Sequence, residues 1–236
     1  CFRQADRLGL TLDPWIATNG NSGKPHSDWL EYMQLPWSEY DVSLGRKAID
    51  KPGAWGYLLS MKGIFEDAMA KEYRAIAVFD DDFVLSNSFD HRFSKLMELI
   101  DDDWKVIYLG ASQWLWDGIE TDSRPYYSPN ENTNGTFAVI YHHSVFREII
   151  AEIDRMDAPF DAGPLRRVVL GSGKGSSFVA HPSLAIAKLE KPGIRESRNQ
   201  IEFSKRFGWN LHDFPAWFNQ WEPHPVIVRD DSEQVE

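Results

Sequence analysis

The sequence predicts an α/β domain, because segments with strand character alternate with segments whose apolar residues repeat at helical spacing. An apolar run at 75–79 is long enough for one buried strand, and three consecutive carboxylates at 80–82 follow it directly. Apolar residues at helical spacing precede this run over 55–69 and follow it over 89–100. We therefore expect a strand in the middle of a sheet that helices cover on both faces. The acidic triplet would lie at its carboxyl end, the edge where open α/β sheets bind ligands.

The amino-terminal fifty residues are rich in Trp, Pro, Gly and Asn and predict few regular elements. A short helix is expected near 3–10 and a short strand at 15–18. Turn-forming residues at 19–23 and again at 51–53 then precede the first long helix.

The alternation of strands and helices continues beyond the first acidic triplet. A strand is predicted at 106–109, and the second acidic triplet at 101–103 precedes it. Those acids fall at the amino end of the strand, away from the ligand edge, which argues against a metal role for them. A third strand is predicted at 135–141, followed by a helix whose apolar face spans 145–153, and a short strand at 178–180.

Composition indicates one domain over 1–228 and an acidic tail at 229–236. The chain has 236 residues and 42% hydrophobic content, enough for one substantial core, and no linker interrupts it. Lys and Arg number 25 against 36 Asp and Glu, a formal net charge of -11. This charge opposes nonspecific binding to nucleic acid or to an anionic membrane.

Cysteine content and hydropathy predict a soluble protein of a reducing compartment such as the cytoplasm. Cys1 is the only cysteine, so no intrachain disulfide is possible. No stretch approaches the roughly eighteen apolar residues that a membrane span requires. The chain opens at Cys1 without an initiator methionine, as a fragment of a longer protein would.

The triplet of Asp80, Asp81 and Asp82 is the strongest candidate for chemistry in the chain. Adjacent carboxylates repel one another, and a hard cation such as Mg²⁺ or Mn²⁺ is the natural charge to hold them together. Such an ion usually shares its coordination with substrate phosphates. We expect Asp80 and Asp82 to be ligands and consider His181 as a further one. The alternatives are a solvated acidic turn and a structural His181.

The acidic triplet and one aromatic loop each have a further interpretation. A nucleotidyltransferase or phosphohydrolase would also place carboxylates at a strand end, with Asp80 and Asp82 holding two ions. The loop at 110–129 carries Trp114 and Trp116, whose faces are candidate platforms for stacking a sugar ring. Packing beneath the loop is the alternative role for both rings.

Six sequence blocks follow one another along the chain at 53–60, 78–83, 106–110, 135–139, 159–161 and 181–182. Their order and spacing resemble those of glycosyltransferase family 25. The family contains bacterial lipopolysaccharide galactosyltransferases and collagen galactosyltransferase domains, and the similarity spans about residues 3–197. The chain has Ser60-Met61 where the family usually has Ser-His, and Asp80 where it usually has Glu. The family's opening strand would precede Arg3, so we expect either that the chain is a fragment or that its sheet begins differently.

The resemblance implies a GT-A fold, with a mostly parallel sheet flanked by helices. It also implies a metal-dependent inverting glycosyltransferase that moves a hexose, most commonly galactose, from a UDP-sugar to a glycan or other hydroxyl acceptor. The donor would contact Ala17, Trp55, Gly56, Asp80 and Asp81, and Mn²⁺ or Mg²⁺ would be the cofactor. Trp114 and Trp116 would then bind the acceptor or the donor sugar. A binding module of the same fold that has lost catalysis is the alternative, because Met61 replaces the family's histidine.

The resemblance also points to the catalytic base. Inverting transfer in one displacement needs one carboxylate to take the proton of the acceptor hydroxyl. Asp161 matches the family's Pro-x-Asp block and lies outside the metal triplet. The alternative is that Asp161 only caps a helix that begins near Gly163.

Overall fold

The computed structural model describes residues 2–121, 124–173, 175–188 and 200–215, and these form a mixed α/β domain. Its strands are β1 (Ala75–Phe79), β2 (Phe83–Leu85), β3 (Val106–Tyr108), β4 (Ser112–Gln113), β5 (Tyr126–Tyr127), β6 (Thr133–Asn134), β7 (Ala138–His142), β8 (Ser177–Ala180) and β9 (Ala185–Ala187). Its helices are α1 (Phe2–Arg7), α2 (Gly23–Gln34), α3 (Glu39–Leu44), α4 (Pro52–Ala70), α5 (Phe89–Met97), α6 (Phe146–Ile153), α7 (Pro164–Gly171) and α8 (Gln200–Arg206). None of these helices combines the length and the apolarity that a membrane crossing requires.

The main sheet has five strands in the order β1-β7-β3-β8-β5. Strand β7 runs antiparallel to both β1 and β3, β3 runs parallel to β8, and β5 runs antiparallel to β8. The sheet is therefore mixed, and the expectation of a mostly parallel sheet is wrong for the described pairings. Strands β1, β3 and β8 nevertheless share one direction, so their carboxyl ends lie along the same edge.

The position of β1 differs from the sequence prediction. Instead of lying in the middle of the sheet, β1 is an edge strand of the described sheet, and Ala75 and Ala77 are exposed. An apolar run fits an edge strand as well as a central one, and only the pairing decides between them. The prediction that this strand ends in the acidic triplet is confirmed.

The core lies on both faces of the sheet, as the alternation of side chains along a strand requires. Val106 and Tyr108 of β3 join a core formed with α4, α6 and α7, whereas Ile107 between them joins a second core formed with β2, β9 and α5. The predicted helices around the acidic triplet are confirmed as α4 and α5. The expected third strand begins later than predicted, at Ala138.

The segment predicted as a strand at 15–18 has no strand pairing within the described residues, so that prediction is wrong. Trp15 and Ile16 are exposed, and the segment is tied to α4 instead. The backbone N–H of Thr18 donates to Ser60 Oγ at 2.8 Å, and the Ser60 hydroxyl donates to the Gly56 carbonyl. The first bond satisfies a backbone donor of this segment that a strand would have paired, and the second anchors the Ser60 hydroxyl within α4.

Candidate active site

The acidic triplet forms the link between β1 and β2, and backbone hydrogen bonds hold both of its ends. The Asp80 N–H donates to the Phe137 carbonyl at 3.0 Å, and the Lys188 N–H donates to the Asp82 carbonyl at 2.6 Å. Asp80 and Asp82 are half-buried, whereas Asp81 is exposed. The first and third residues of the triplet thus differ from the second in their exposure to solvent.

The Asp80 carboxylate is oriented by a residue that the sequence analysis missed. The Tyr57 hydroxyl donates to Asp80 Oδ1 at 2.9 Å and lies 2.8 Å from Thr136 Oγ1. A phenol has one hydrogen, so the Thr136 hydroxyl donates to Tyr57 while Tyr57 donates to Asp80. This chain of hydrogen bonds joins α4, the end of β1 and the segment that leads into β7.

Burial and neighbouring charges raise the pKa values of the Asp80 and Asp82 carboxyl groups above that of an ordinary aspartate. Burial raises the pKa of Asp80 to about 7, and the charges of Asp82, Asp81 and Asp161 add to this rise. Burial and the charge of Asp81 raise the pKa of Asp82 to about 6, while the charge of Lys188 opposes the increase. A bound cation would reverse these shifts, because it favours the ionised form.

The carboxylate ligands suit a cation whose coordination is completed by substrate. Within the described residues, no group of three or more His, Cys, Asp or Glu side chains is arranged to hold a metal ion by itself. Mg²⁺ is commonly bound by one or two carboxylates, with substrate phosphates and water in the other positions. Asp80 and Asp82 supply two hard oxygen donors with unfavourable mutual charge, which fits that kind of site.

Asp161 lies in the turn between α6 and α7 and contacts the segment between β6 and β7. Its Oδ2 accepts a hydrogen bond from the Gly135 N–H at 3.3 Å. The N-cap of α7 is Gly163, and the hydrogen bond found for Asp161 among the described residues comes from Gly135 and not from the first turn of α7, which argues against the alternative role of Asp161 as a cap. The structure brings Asp161 close enough to Asp80 for its charge to raise the pKa of Asp80.

His181 lies farther along the same sheet edge. It follows β8, which is the third strand from β1, so about 14 Å of sheet separates their ends at the usual strand spacing. The ring packs 5.6 Å from Trp116 and 6.0 Å from Tyr127, measured between ring centroids. Burial lowers the pKa of His181. These surroundings favour a structural role, and metal ligation by His181 stays a prediction.

The two loop tryptophans pack against α8. The Trp114 ring meets Phe203 and Phe207 edge-on, and the Arg206 guanidinium lies 4.7 Å from its centroid. The Trp116 indole N–H donates to the Arg206 carbonyl at 2.9 Å. These contacts favour the packing alternative, and a role in acceptor binding stays a prediction.

The other residues predicted to contact the nucleotide-sugar donor lie in or near the start of α4. Ala17 is exposed, and Trp55 is buried beside Tyr32, with its indole nitrogen unpartnered among the described residues. A Cβ on Gly56 would lie 2.4 Å from the Thr18 carbonyl oxygen. The chain's own backbone thus fills the space over Gly56, which gives this glycine a packing role.

The residues that sequence reasoning missed are Tyr57, Thr136, Lys188 and Arg166. Each reaches the site from a different element, and their contacts join positions far apart in the sequence. Tyr57 and Thr136 carried a local signal, because they lie in the blocks 53–60 and 135–139 of the family resemblance.

A scan of the chain against protein-family models gives no match, and neither does a comparison with curated proteins. The functional interpretation therefore depends on the geometry of this site and on the motif resemblance.

Proposed function

We propose that the chain is a metal-dependent inverting glycosyltransferase of the GT-A type, which moves a hexose from a UDP-sugar to a hydroxyl acceptor. The observation that carries the proposal is the half-buried pair Asp80 and Asp82 at the end of β1, with Asp161 close enough to influence the pKa of Asp80. The choice of a UDP-sugar, and of galactose as the first sugar to test, rests on the resemblance to family 25.

The acidic site needs a counter-charge before an anionic donor can bind. The chain carries a net charge of -11, and Asp80 and Asp82 lie where their own charges are unfavourable. When bound, Mn²⁺ or Mg²⁺ would neutralise the donor diphosphate and the charge that develops on the departing nucleoside diphosphate. Asp80 and Asp82 would hold the ion, and Tyr57 would fix the orientation of Asp80.

Asp161 has the features of the base. In the transfer, the acceptor oxygen forms a bond to the anomeric carbon while the bond from that carbon to the diphosphate oxygen breaks. The acceptor hydroxyl proton passes to the Asp161 carboxylate. The Gly135 N–H holds Oδ2 of this carboxylate, and Oδ1 has no hydrogen bond within the described residues. One oxygen therefore positions the group while the other can take the proton.

The test is to incubate the protein with Mn²⁺ and a panel of UDP-sugars and to identify the nucleotide product. We expect release of UDP, which increases when hydroxyl acceptors are added. Asp161→Asn should slow this release by roughly 10²-fold to 10⁴-fold while UDP binding persists. The surface variant Asp154→Asn is the matched control and should react normally.

Other products would contradict the proposal. Release of UMP or pyrophosphate would indicate the nucleotidyltransferase or phosphohydrolase alternative. Metal-dependent UDP binding without turnover of any sugar on any acceptor would indicate the inactive binding module. Normal turnover by Asp161→Asn would remove Asp161 from the mechanism.

A further inference from the structure

Arg166 is a half-buried cation in the neighbourhood of Asp161, and it has no carboxylate partner among the described residues. It lies in the first turn of α7, five positions after Asp161. Its Nη2 donates to the side-chain oxygen of Asn134 at 2.5 Å, and its Nε is buried without a hydrogen-bond partner among the described residues. A guanidinium with a neutral partner and an unused buried donor retains capacity for an anion.

The neighbouring Arg167 on the same helix is a structural arginine and provides a comparison. Its Nε donates to Glu152, and its Nη2 donates to Asp157 Oδ1 at 2.9 Å. Arg167 is thus neutralised by two carboxylates of the protein. Arg166 has no such ion pair with any acidic residue in the part of the chain that the structure describes.

Arg166 and Asp161 are held by adjacent residues. Asn134 accepts the hydrogen bond from Arg166, and the Gly135 N–H donates to Asp161. Both charges act on the buried phenol of Tyr108: burial raises the pKa of Tyr108, the charge of Asp161 adds to the rise, and that of Arg166 opposes it. Arg166 therefore lies in the immediate surroundings of the proposed base.

The local field also favours a bound anion. The amino end of α7 carries partial positive charge, and its first turn contains no acidic residue. An arginine there adds like charge to the helix terminus, and an anion would relieve both. We propose that Arg166 anchors an anionic group of the substrate, a phosphate or a carboxylate, beside Asp161. The link to a donor phosphate or to an acidic acceptor rests on the proposed function, whereas the anion subsite itself does not.

The test compares Arg166→Gln with wild type in calorimetric titrations with UDP, inorganic pyrophosphate and galacturonate, each in the presence of Mn²⁺. We expect the Kd for at least one of these anions to rise by about tenfold or more, since a charged hydrogen-bonding group is lost. Arg166→Lys should recover part of the affinity. Arg167→Gln, which removes a paired arginine, should leave the Kd values unchanged, and thermal unfolding checks that each variant is folded.

The pattern of losses identifies the anion and separates the two proposals. Weaker binding of UDP and pyrophosphate alone assigns Arg166 to the donor phosphates, and weaker binding of galacturonate alone assigns it to an acidic sugar of the acceptor. If wild type binds pyrophosphate or galacturonate through Arg166 but does not bind UDP, the anion subsite stands and the glycosyltransferase proposal fails. Equal binding of all three probes by wild type and Arg166→Gln would overturn the role of Arg166, as would a wild type that binds none of them.

Discussion

The Asp80 carboxyl occupies a position where its ionisation opposes folding. An unperturbed aspartate has a pKa of about 4, and in this protein burial raises the pKa of Asp80 to about 7. Between those pH values the folded protein holds a proton that the unfolded chain has released. The free energy of unfolding therefore falls as pH rises through this window and levels off above it. Asp82, with a pKa of about 6, contributes in the same direction.

Asp80→Asn is expected to stabilise the metal-free protein, and to do so more strongly as pH rises. The amide resembles the protonated acid and can still accept the hydrogen bond from Tyr57. Each unit of pKa shift corresponds to at most about 1.4 kcal/mol, and partial exposure reduces this, so we expect a gain of roughly 2 kcal/mol at pH 8. Urea unfolding in EDTA between pH 4 and pH 8 measures it.

The control for this pH series is Asp102→Asn in the exposed second acidic triplet. Its stability should follow that of wild type at every pH. A gain for Asp80→Asn that stays constant from pH 4 to pH 8 would show that Asp80 is not the titrating group.

At the scale of elements, the start of α4 is fixed by close backbone packing. A Cβ on Gly56 would lie 2.4 Å from the Thr18 oxygen and 2.7 Å from the Gly20 nitrogen, both of which are backbone atoms. Gly63, two turns later in the same helix, faces the ring of Trp15, which is 45% exposed. The first position allows no adjustment without moving the chain, whereas the second requires only a side-chain shift.

Gly56→Ala should therefore destabilise the protein by about 1 to 3 kcal/mol, because overpacking exceeds the gain in helix propensity. Gly63→Ala in the same helix should be neutral or slightly stabilising. Chemical denaturation of both variants measures the free energies of unfolding. Equal effects at the two positions would mean that the segment over Gly56 is not packed as described.

The helices on either side of β1 were the easiest elements to predict, whereas α2 and α3 were missed and the sheet was predicted worst. The helical spacing of α4 and α5 lies within each segment, so local sequence was sufficient. The place of β1 depends on its pairing with β7, about sixty residues away, and an apolar run carries no information about that partner. Sequence alone therefore placed an edge strand in the middle of the sheet.

The candidate site was predictable only in part, for the same reason. Asp80 and Asp82 stand out because a strand ends in them, and Asp161 was found through the family resemblance. The hydrogen bond from Tyr57 to Asp80 and the approach of Lys188 to Asp82 depend on tertiary packing. The tryptophans at 114 and 116 suggested a binding surface, but their partners on α8 lie about ninety residues away.

For the whole molecule, the central question is how an acidic protein would accommodate an anionic substrate. The net charge of -11 repels a nucleoside diphosphate, and the candidate site adds three consecutive carboxylates. A divalent cation held at Asp80 and Asp82 would turn this repulsion into attraction. The proposal thus requires that nucleotide binding depend on metal, and that this dependence arise from these carboxylates.

The most direct measurement is a calorimetric titration of UDP into the protein with Mn²⁺ and with EDTA, for wild type, Asp82→Asn and Asp102→Asn. Wild type and Asp102→Asn should bind UDP only with Mn²⁺, because the second triplet lies at the amino end of β3, away from the site. Asp82→Asn should remain folded and lose metal-dependent binding. The same UDP affinity in Asp82→Asn as in wild type, or UDP binding by wild type that is unchanged in EDTA, would contradict a metal-dependent nucleotide site at this triplet.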